Sequence, residues 1–270
     1  MASNRHRSEV ELADPRISII DERMRGIDTI IAVSSGKGGV GKSLIASTLS
    51  LSLARKGYSV GLFDLDFTSP STHAILGISG EKPKEEKGIV PPMVHGLKYM
   101  SITYYSQDLA APLRGTDVSN ALVELLSTTI WGKLSYLVLD LPPGIGDATL
   151  DVVRLVKNTK FLIVTTPSKL AFETVKKLVS LLSALGVPVL GVVENMKMNE
   201  SKAIKKAAQK LGLKFLAEIP YDPEVEGAIG DTNKLMSTTL AEKVRQLCSK
   251  ITGTPASTRQ ERLVRRERRA

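Results

Sequence analysis

Gly36, Gly41, Lys42 and Ser43 stand at the spacing G-x-x-x-x-G-K-S, inside Ser35-Gly36-Lys37-Gly38-Gly39-Val40-Gly41-Lys42-Ser43-Leu44. That spacing serves one kind of chemistry, the grip on the phosphates of a nucleoside triphosphate such as ATP. Glycines let successive backbone N–H groups turn inward on phosphate oxygens, and a helix that follows presents its positive end to them. The N–H groups from Gly36 through Val40 and Gly41 to Leu44 form the cradle. Lys42 reaches the outer phosphates, and the Ser43 hydroxyl is a ligand for Mg²⁺. The motif carries meaning only between a strand and a helix, and both neighbours are present. The β-branched run 29–33 precedes it; a helical pattern over 44–56, stopped by Gly57, follows.

Carboxylates supply the rest. Asp64 and Asp66 follow the apolar run 58–63 in quick succession, within DLDFTSPS. Asp140 ends the run Tyr136-Leu137-Val138-Leu139 and opens DLPPGIGD. An Asp closing a buried strand beside a phosphate loop suits the holding of Mg²⁺ through water.

These residues need a scaffold, and the chain has the material for one. At 270 residues it is long enough for one large α/β domain or two small ones, and 42% hydrophobic residues leave ample core. From residue 29 onward, β-rich runs (58–63, 97–102, 136–139, 161–165, 187–193, 214–216) alternate with helical periods (120–129, 149–157, 171–185, 201–211). Nearly continuous apolar runs are the mark of strands buried on both faces. The alternation predicts a doubly wound α/β fold, a mainly parallel sheet with helices on both faces and its active loops at the carboxyl ends of the strands. The division expected is an N-terminal arm over 1–25, a phosphate-loop ATPase domain over 26–250 and a basic tail over 251–270. The segment 79–92 reads as an exposed loop.

Composition also excludes. Aromatics at 4% argue against base-stacking platforms. The single Cys248 rules out a disulfide framework and any thiolate cage within one subunit; it shares a helical face with Leu240, Val244 and Leu247, so a packed role is expected. No apolar segment approaches membrane-spanning length, and residues 1–7 lack the apolar core of a secretory signal, so the cytoplasm is the expected location. The net charge of +9 is uneven, with TRQERLVRRERRA at 258–270 densely basic. A basic tail suits nucleic acid or an anionic membrane, but Leu263 and Val264 alone give too little apolar area for insertion. A solvated tail is the favoured reading.

The second lysine of GKGGVGKS, Lys37, is one that an ordinary phosphate loop does not need. The string resembles the deviant Walker A of the MinD/ParA/nitrogenase-iron-protein class, where the early lysine crosses a dimer interface to the partner's phosphates. More widely, GKGGVGKS, DLDFTSPS, LRGTDVSNALVELL, WGKLSYLVLDLPPGIGDA, GVVENM and EIPYDPEVEGAIG stand in the order and spacing of the Mrp/Nbp family, from about residue 30 to 241. Members of that family are phosphate-loop ATPases that carry or assemble iron–sulfur clusters. The resemblance implies a homodimer with slow ATP hydrolysis, in which nucleotide state sets dimer conformation and an iron–sulfur assembly or apo-protein partner is served. It implies that Asp66 aligns the attacking water, Asp64 supports Mg²⁺, Asp140 is the Walker B residue and residues 144–147 are a second switch. It also implies that Asn195 reads adenine, with the Ile219-Pro220 region lining the base; Arg114 and Gly115 match the family's RG segment.

One departure bears on cargo. Cluster-holding relatives follow ENM with Cys-x-x-Cys, whereas this chain reads Glu194-Asn195-Met196-Lys197-Met198-Asn199-Glu200-Ser201. Thiolate is the ligand such clusters need, so the sequence argues against a cluster held by the family's own route. In place of the cysteines, Lys202, Lys206 and Lys210 recur along a helical face with Lys205 beside them, read as a solvated face before a partner surface. The alternative function is therefore a MinD/ParA-like ATPase switch for a protein, DNA or membrane partner, without a cluster.

Overall fold

The computed structural model describes residues 14–105 and 116–253. The chain begins with α1 (Arg16–Met24), β1 (Ile27–Ser35) and α2 (Lys42–Arg55), then β2 (Val60–Asp64) and α3 (Thr72–Leu76). Short strands β3 (Lys84–Glu85), β4 (Ile89–Val90) and β5 (Met93–Val94) lead into β6 (Leu97–Ser101). Strand–helix pairs follow: α4 (Thr116–Thr128) and β7 (Leu134–Asp140), α5 (Asp147–Leu155) and β8 (Thr159–Thr165), α6 (Lys169–Ala184) and β9 (Val189–Lys197). The last are α7 (Ala203–Lys210), β10 (Phe215–Pro220), α8 (Thr232–Leu235) and α9 (Thr239–Thr252).

Among the described residues, one eight-stranded sheet runs in the order β10-β9-β8-β1-β7-β2-β6-β5. Every pairing is parallel except that of β5 with β6. Alternation along β1 feeds two cores. Ile30 and Ala32 join the face covered by α1, α4, α5, α6 and α7; Ile31 and Val33 join the face covered by α2, α3, α8 and α9. The doubly wound sandwich expected from the alternation is the fold observed.

α2 is buried nearly all round, because it lies between the sheet and α9. Two of its buried hydroxyls are served within the helix, Ser50 and Ser52 donating to the Ala46 and Thr48 carbonyls, while those of Ser47 and Thr48 have no partner among the described residues. α9 buries Leu240, Val244, Leu247 and Cys248 on one stripe, as their spacing implied. Three expectations are amended. The stretch read as an arm contains α1, which buries Ile20 and Met24, one helical turn apart, in the core beside α4. The stretch 79–92 holds the antiparallel pair β3–β4, turned through Lys87 at φ 54° and Gly88 at φ 146°. β9 extends to Lys197, so Asn195 lies on the strand rather than beyond it.

Trp131, between α4 and β7, is fully buried. Its ring lies 5.3 Å from that of Phe63, and a Cβ on Gly61 would come within 2.8 Å of it, so the absence of a side chain in β2 makes room for the indole. Trp131→Ala is expected to lower stability by about 3–5 kcal/mol, through lost burial and the cavity left behind. Trp131→Phe should cost less, because it also removes an indole N–H that has no partner among the described residues. Urea unfolding followed by far-ultraviolet circular dichroism checks both.

Candidate functional site

β1, β2, β7, β8 and β9 end on the same edge of the sheet, which brings together the phosphate loop, Asp64, Asp66, Asp140 and Asn195. The loop leaving β1 is a glycine-shaped cradle. Gly39 and Gly41 take φ of 74° and 81°, a region that L side chains seldom enter. A Cβ on Gly41 would lie 2.3 Å from Asn195 Nδ2, and one on Gly36 would lie 2.1 Å from Thr174 Oγ1 of α6. Gly41 is the N-cap of α2 and supplies no side-chain cap. The first-turn N–H groups of a helix lack intrahelical partners, so this end suits an anion. A cleft of about 410 Å³ opens here, lined by the loop through Leu44, by Asp66, Thr68, Ser69 and Ser71, and by Pro143. Lys37 is exposed on this loop, and among the described residues no carboxylate pairs with it.

Lys42 is 6% exposed and sits among carboxylates. Its Nζ lies 2.6 Å from Asp140 Oδ1 and 3.8 Å from Asp66 Oδ2, and donates to Ser43 Oγ at 3.2 Å. Val33 and Asp64 are both register partners of Asp140 on adjacent strands, which is how the fold brings the group together. Burial pushes the Asp140 carboxyl up to about 6; Lys42 works against that rise and the charge of Asp64 adds to it. Asp140 Oδ2 is buried and without a hydrogen-bond partner among the described residues. An orphaned carboxylate oxygen beside a serine hydroxyl fits a hydrated Mg²⁺.

The other two aspartates are occupied by the loop between β2 and α3. Asp66 Oδ1 accepts from Thr68 Oγ1 and the Ser69 N–H, which leaves Oδ2 toward Lys42. Asp64 Oδ1 accepts from the Asp66 N–H; Oδ2 accepts from the N–H groups of Ser71 and Thr72 and from Thr72 Oγ1. Asp64, expected beside Mg²⁺, therefore faces the loop. Sequence reading missed Thr72, although a hydroxyl residue at a helix start after Pro70 is a recognisable signal.

Of residues 144–147, Gly144 is tied to the strand end that opens the cradle. The Leu141 and Gly144 N–H groups donate to the Val33 and Ser35 carbonyls, and Pro143 lines the cleft together with Gly38. Asn195 is buried, and its Nδ2 donates to the Val40 carbonyl at 2.9 Å. Its amide is thus spent on holding the phosphate loop, a contact the sequence did not reveal. Pro220 ends β10 opposite Lys197. Arg114, Gly115 and residues 254–270 of the expected tail lie outside the described residues, while its first two residues complete α9.

The segment between β9 and α7 shows no thiolate. Met198 is exposed there, α7 buries Ile204 and Ala208, and Lys202, Lys205, Lys206 and Lys210 face outward. Cys248 is buried in α9, and burial pushes its thiol pKa up. Among the described residues, no group of three or more His, Cys, Asp or Glu could hold a metal ion, and no helix is long and apolar enough to cross a membrane.

Comparison with known proteins agrees with this geometry. A family model described as ParA, NUBPL iron-transfer P-loop NTPase, matches residues 26–254. An iron–sulfur cluster carrier protein of Aquifex aeolicus is 40% identical over 220 residues, which cover 76% of this chain and 60% of that protein. One of Saccharolobus solfataricus is 35% identical over 238 residues, covering 82% and 79%. The chain thus spans about 60% of the length of the Aquifex relative. Among solved structures, a nucleotide-binding protein of Archaeoglobus fulgidus in complex with ADP superposes with a TM-score of 0.69 at 32% identity, over 82% of this chain and 93% of that one. The cell division ATPase MinD of Pyrococcus furiosus superposes with a TM-score of 0.64 at 21% identity, over 84% and 99%, a likeness of fold. The chain belongs to the ParA-type, NUBPL iron-transfer P-loop NTPase family, among whose members are iron–sulfur cluster carrier proteins.

Proposed function

We propose that this chain binds ATP with Mg²⁺, hydrolyses it slowly, and uses nucleotide state to set the conformation of a homodimer in iron–sulfur cluster assembly. The observation that carries this reading is Lys42, held between Asp140 and Asp66 at the mouth of an uncapped glycine cradle. Triphosphate oxygens would compete for the Lys42 ammonium and draw it from Asp140. Asp140 would then turn from pairing a lysine to holding the water shell of Mg²⁺, with the Ser43 hydroxyl as a direct ligand. Mg²⁺ supplies charge neutralisation on the outer phosphates. Asp66 would align the attacking water in line with the last phosphate. Positioning and electrostatics do the catalytic work in such reactions.

Lys37 projects from the loop without a carboxylate partner among the described residues, as a lysine that reaches across to a second copy would. In this reading Asn195, on β9, and Pro220, at the end of β10, would take the base, with Asn195 Nδ2 keeping its bond to the Val40 carbonyl. Cluster ligands are another matter. With no cysteine at 198–201 and Cys248 packed in α9, thiolates for a cluster would come from a partner protein. The same observation favours the second reading, a MinD/ParA-like ATPase switch whose dimer surface recruits a partner and holds no cluster.

Lys42→Ala should weaken ATP binding by about 100-fold or more, measured by titration calorimetry. Lys37→Ala should leave affinity within about threefold while cutting ATP-dependent dimerisation or turnover by about tenfold or more. If light scattering and phosphate release both match the unaltered protein, Lys37 does not cross an interface. Anaerobic incubation with iron and sulfide, read by iron content and visible absorbance, should yield no stoichiometric cluster on the chain alone. A stoichiometric cluster would overturn the partner-thiolate reading.

A further inference from the structure

The loop that carries Asp66 is closed by one buried carboxylate, and that carboxylate is itself held from the neighbouring strand. Asp64 Oδ1 accepts from the Asp66 N–H at 3.1 Å, where the loop leaves β2. Asp64 Oδ2 accepts from the Ser71 N–H at 3.2 Å and the Thr72 N–H at 3.1 Å, where the loop enters α3. Both ends of the loop therefore hang on a single side chain. The strongest of its contacts is with Thr72 Oγ1, at 2.6 Å. That hydroxyl also lies 2.9 Å from the Tyr99 hydroxyl on β6. Asp64, Thr72 and Tyr99 are all fully buried.

Proton counting gives the chain a direction. All four atoms against Asp64 are donors, and these hydrogen bonds favour the ionised carboxylate against burial, which pushes its pKa up. The single proton of Thr72 Oγ1 goes to Asp64, so Thr72 has only lone pairs left for Tyr99. The Tyr99 hydroxyl must then donate, and its burial keeps that proton in place by pushing its pKa up. Buried chains of this kind polarise along their length. A phenol donating to Thr72 strengthens Thr72 as donor to Asp64 and fixes the Asp64 rotamer.

We propose that Tyr99 and Thr72 are positioning residues for ATP turnover: acting through Asp64, they hold the Asp66 loop so that Asp66 Oδ2 stays directed at the phosphate site. This rests on the ATPase reading above and on Asp66 as the group that aligns water. Neither Tyr99 nor Thr72 lines the cleft, so their effect belongs to the rate and not to nucleotide affinity.

The test uses the full chain with Tyr99→Phe, Thr72→Val, Thr72→Ser and the double variant Tyr99→Phe/Thr72→Val. One buried hydrogen bond corresponds to a factor of about three to ten. Tyr99→Phe and Thr72→Val should each lower kcat by about that factor while ATP affinity stays within about twofold. Thr72→Ser, which keeps the hydroxyl, should retain the unaltered rate. The double variant should be no slower than Thr72→Val, because Tyr99 acts only through Thr72. Amide hydrogen exchange at Asp66, Ser71 and Thr72 in nucleotide-free protein should quicken in Tyr99→Phe. Unaltered kcat with unaltered exchange in Tyr99→Phe would overturn the relay. A parallel loss of affinity and rate would overturn it too, as general damage. If the unaltered protein turns over no ATP, the ATPase reading fails by itself, and the exchange measurement still decides whether the relay anchors the loop.

Discussion

Three buried carboxylates share one buried ammonium, and the rest of the site follows from that imbalance. Asp64, Asp66 and Asp140 are 0%, 5% and 0% exposed, and Lys42 is 6% exposed. Buried charges without partners are costly, so each carboxylate must be met by something. Asp64 and Asp66 are met by backbone and hydroxyl donors of their own loop, which is why the loop has one shape. Asp140 receives Lys42 on one oxygen and leaves the other unmet. That unmet oxygen is the acceptor left for a cation.

Topology makes this arrangement unavoidable. β2 and β7 are parallel neighbours, and their register sets Asp64 opposite Asp140. Paired strands lie roughly 4.8 Å apart, so two carboxylates at matched positions repel unless donors intervene. β1 lies on the other side of β7, with Val33 opposite Asp140, and so delivers the phosphate loop to the same place. Three neighbouring strands and the helix after β1 thus bring together a lysine and carboxylates spread over 98 positions of sequence, from Lys42 to Asp140. Covered on both faces by helices, the strand ends are left as the open edge where charge meets solvent.

How much of this the sequence discloses depends on how local the cause is. The phosphate loop, the strand ends at Asp64 and Asp140 and the helical stripe of α9 rest on nearby spacing, and they were legible. α1 was not, because a single turn of Ile20 and Met24 is a weak signal until α4 arrives to cover it. The β3–β4 hairpin is too short and too charged to carry an alternating pattern. Asp64 read as a metal ligand because its type and place suit one; the donors that claim it include Thr72, which in turn takes a hydrogen bond from Tyr99 on another strand. Asn195 holds Val40 across 155 positions of sequence, a bond that no local pattern announces.

The glycine cradle is wedged at both ends, against Thr174 of α6 at Gly36 and against Asn195 of β9 at Gly41. A loop so confined has little conformational freedom left to surrender when a ligand arrives, and less ordering entropy opposes association. The same confinement narrows what evolution or an engineer could place there. Any side chain at Gly41 must satisfy a left-handed backbone and displace an amide that tethers the loop. Loop and strand tip are consequently a single mechanical part, and a pull on the segment that follows β9 is felt at the seat of the phosphates.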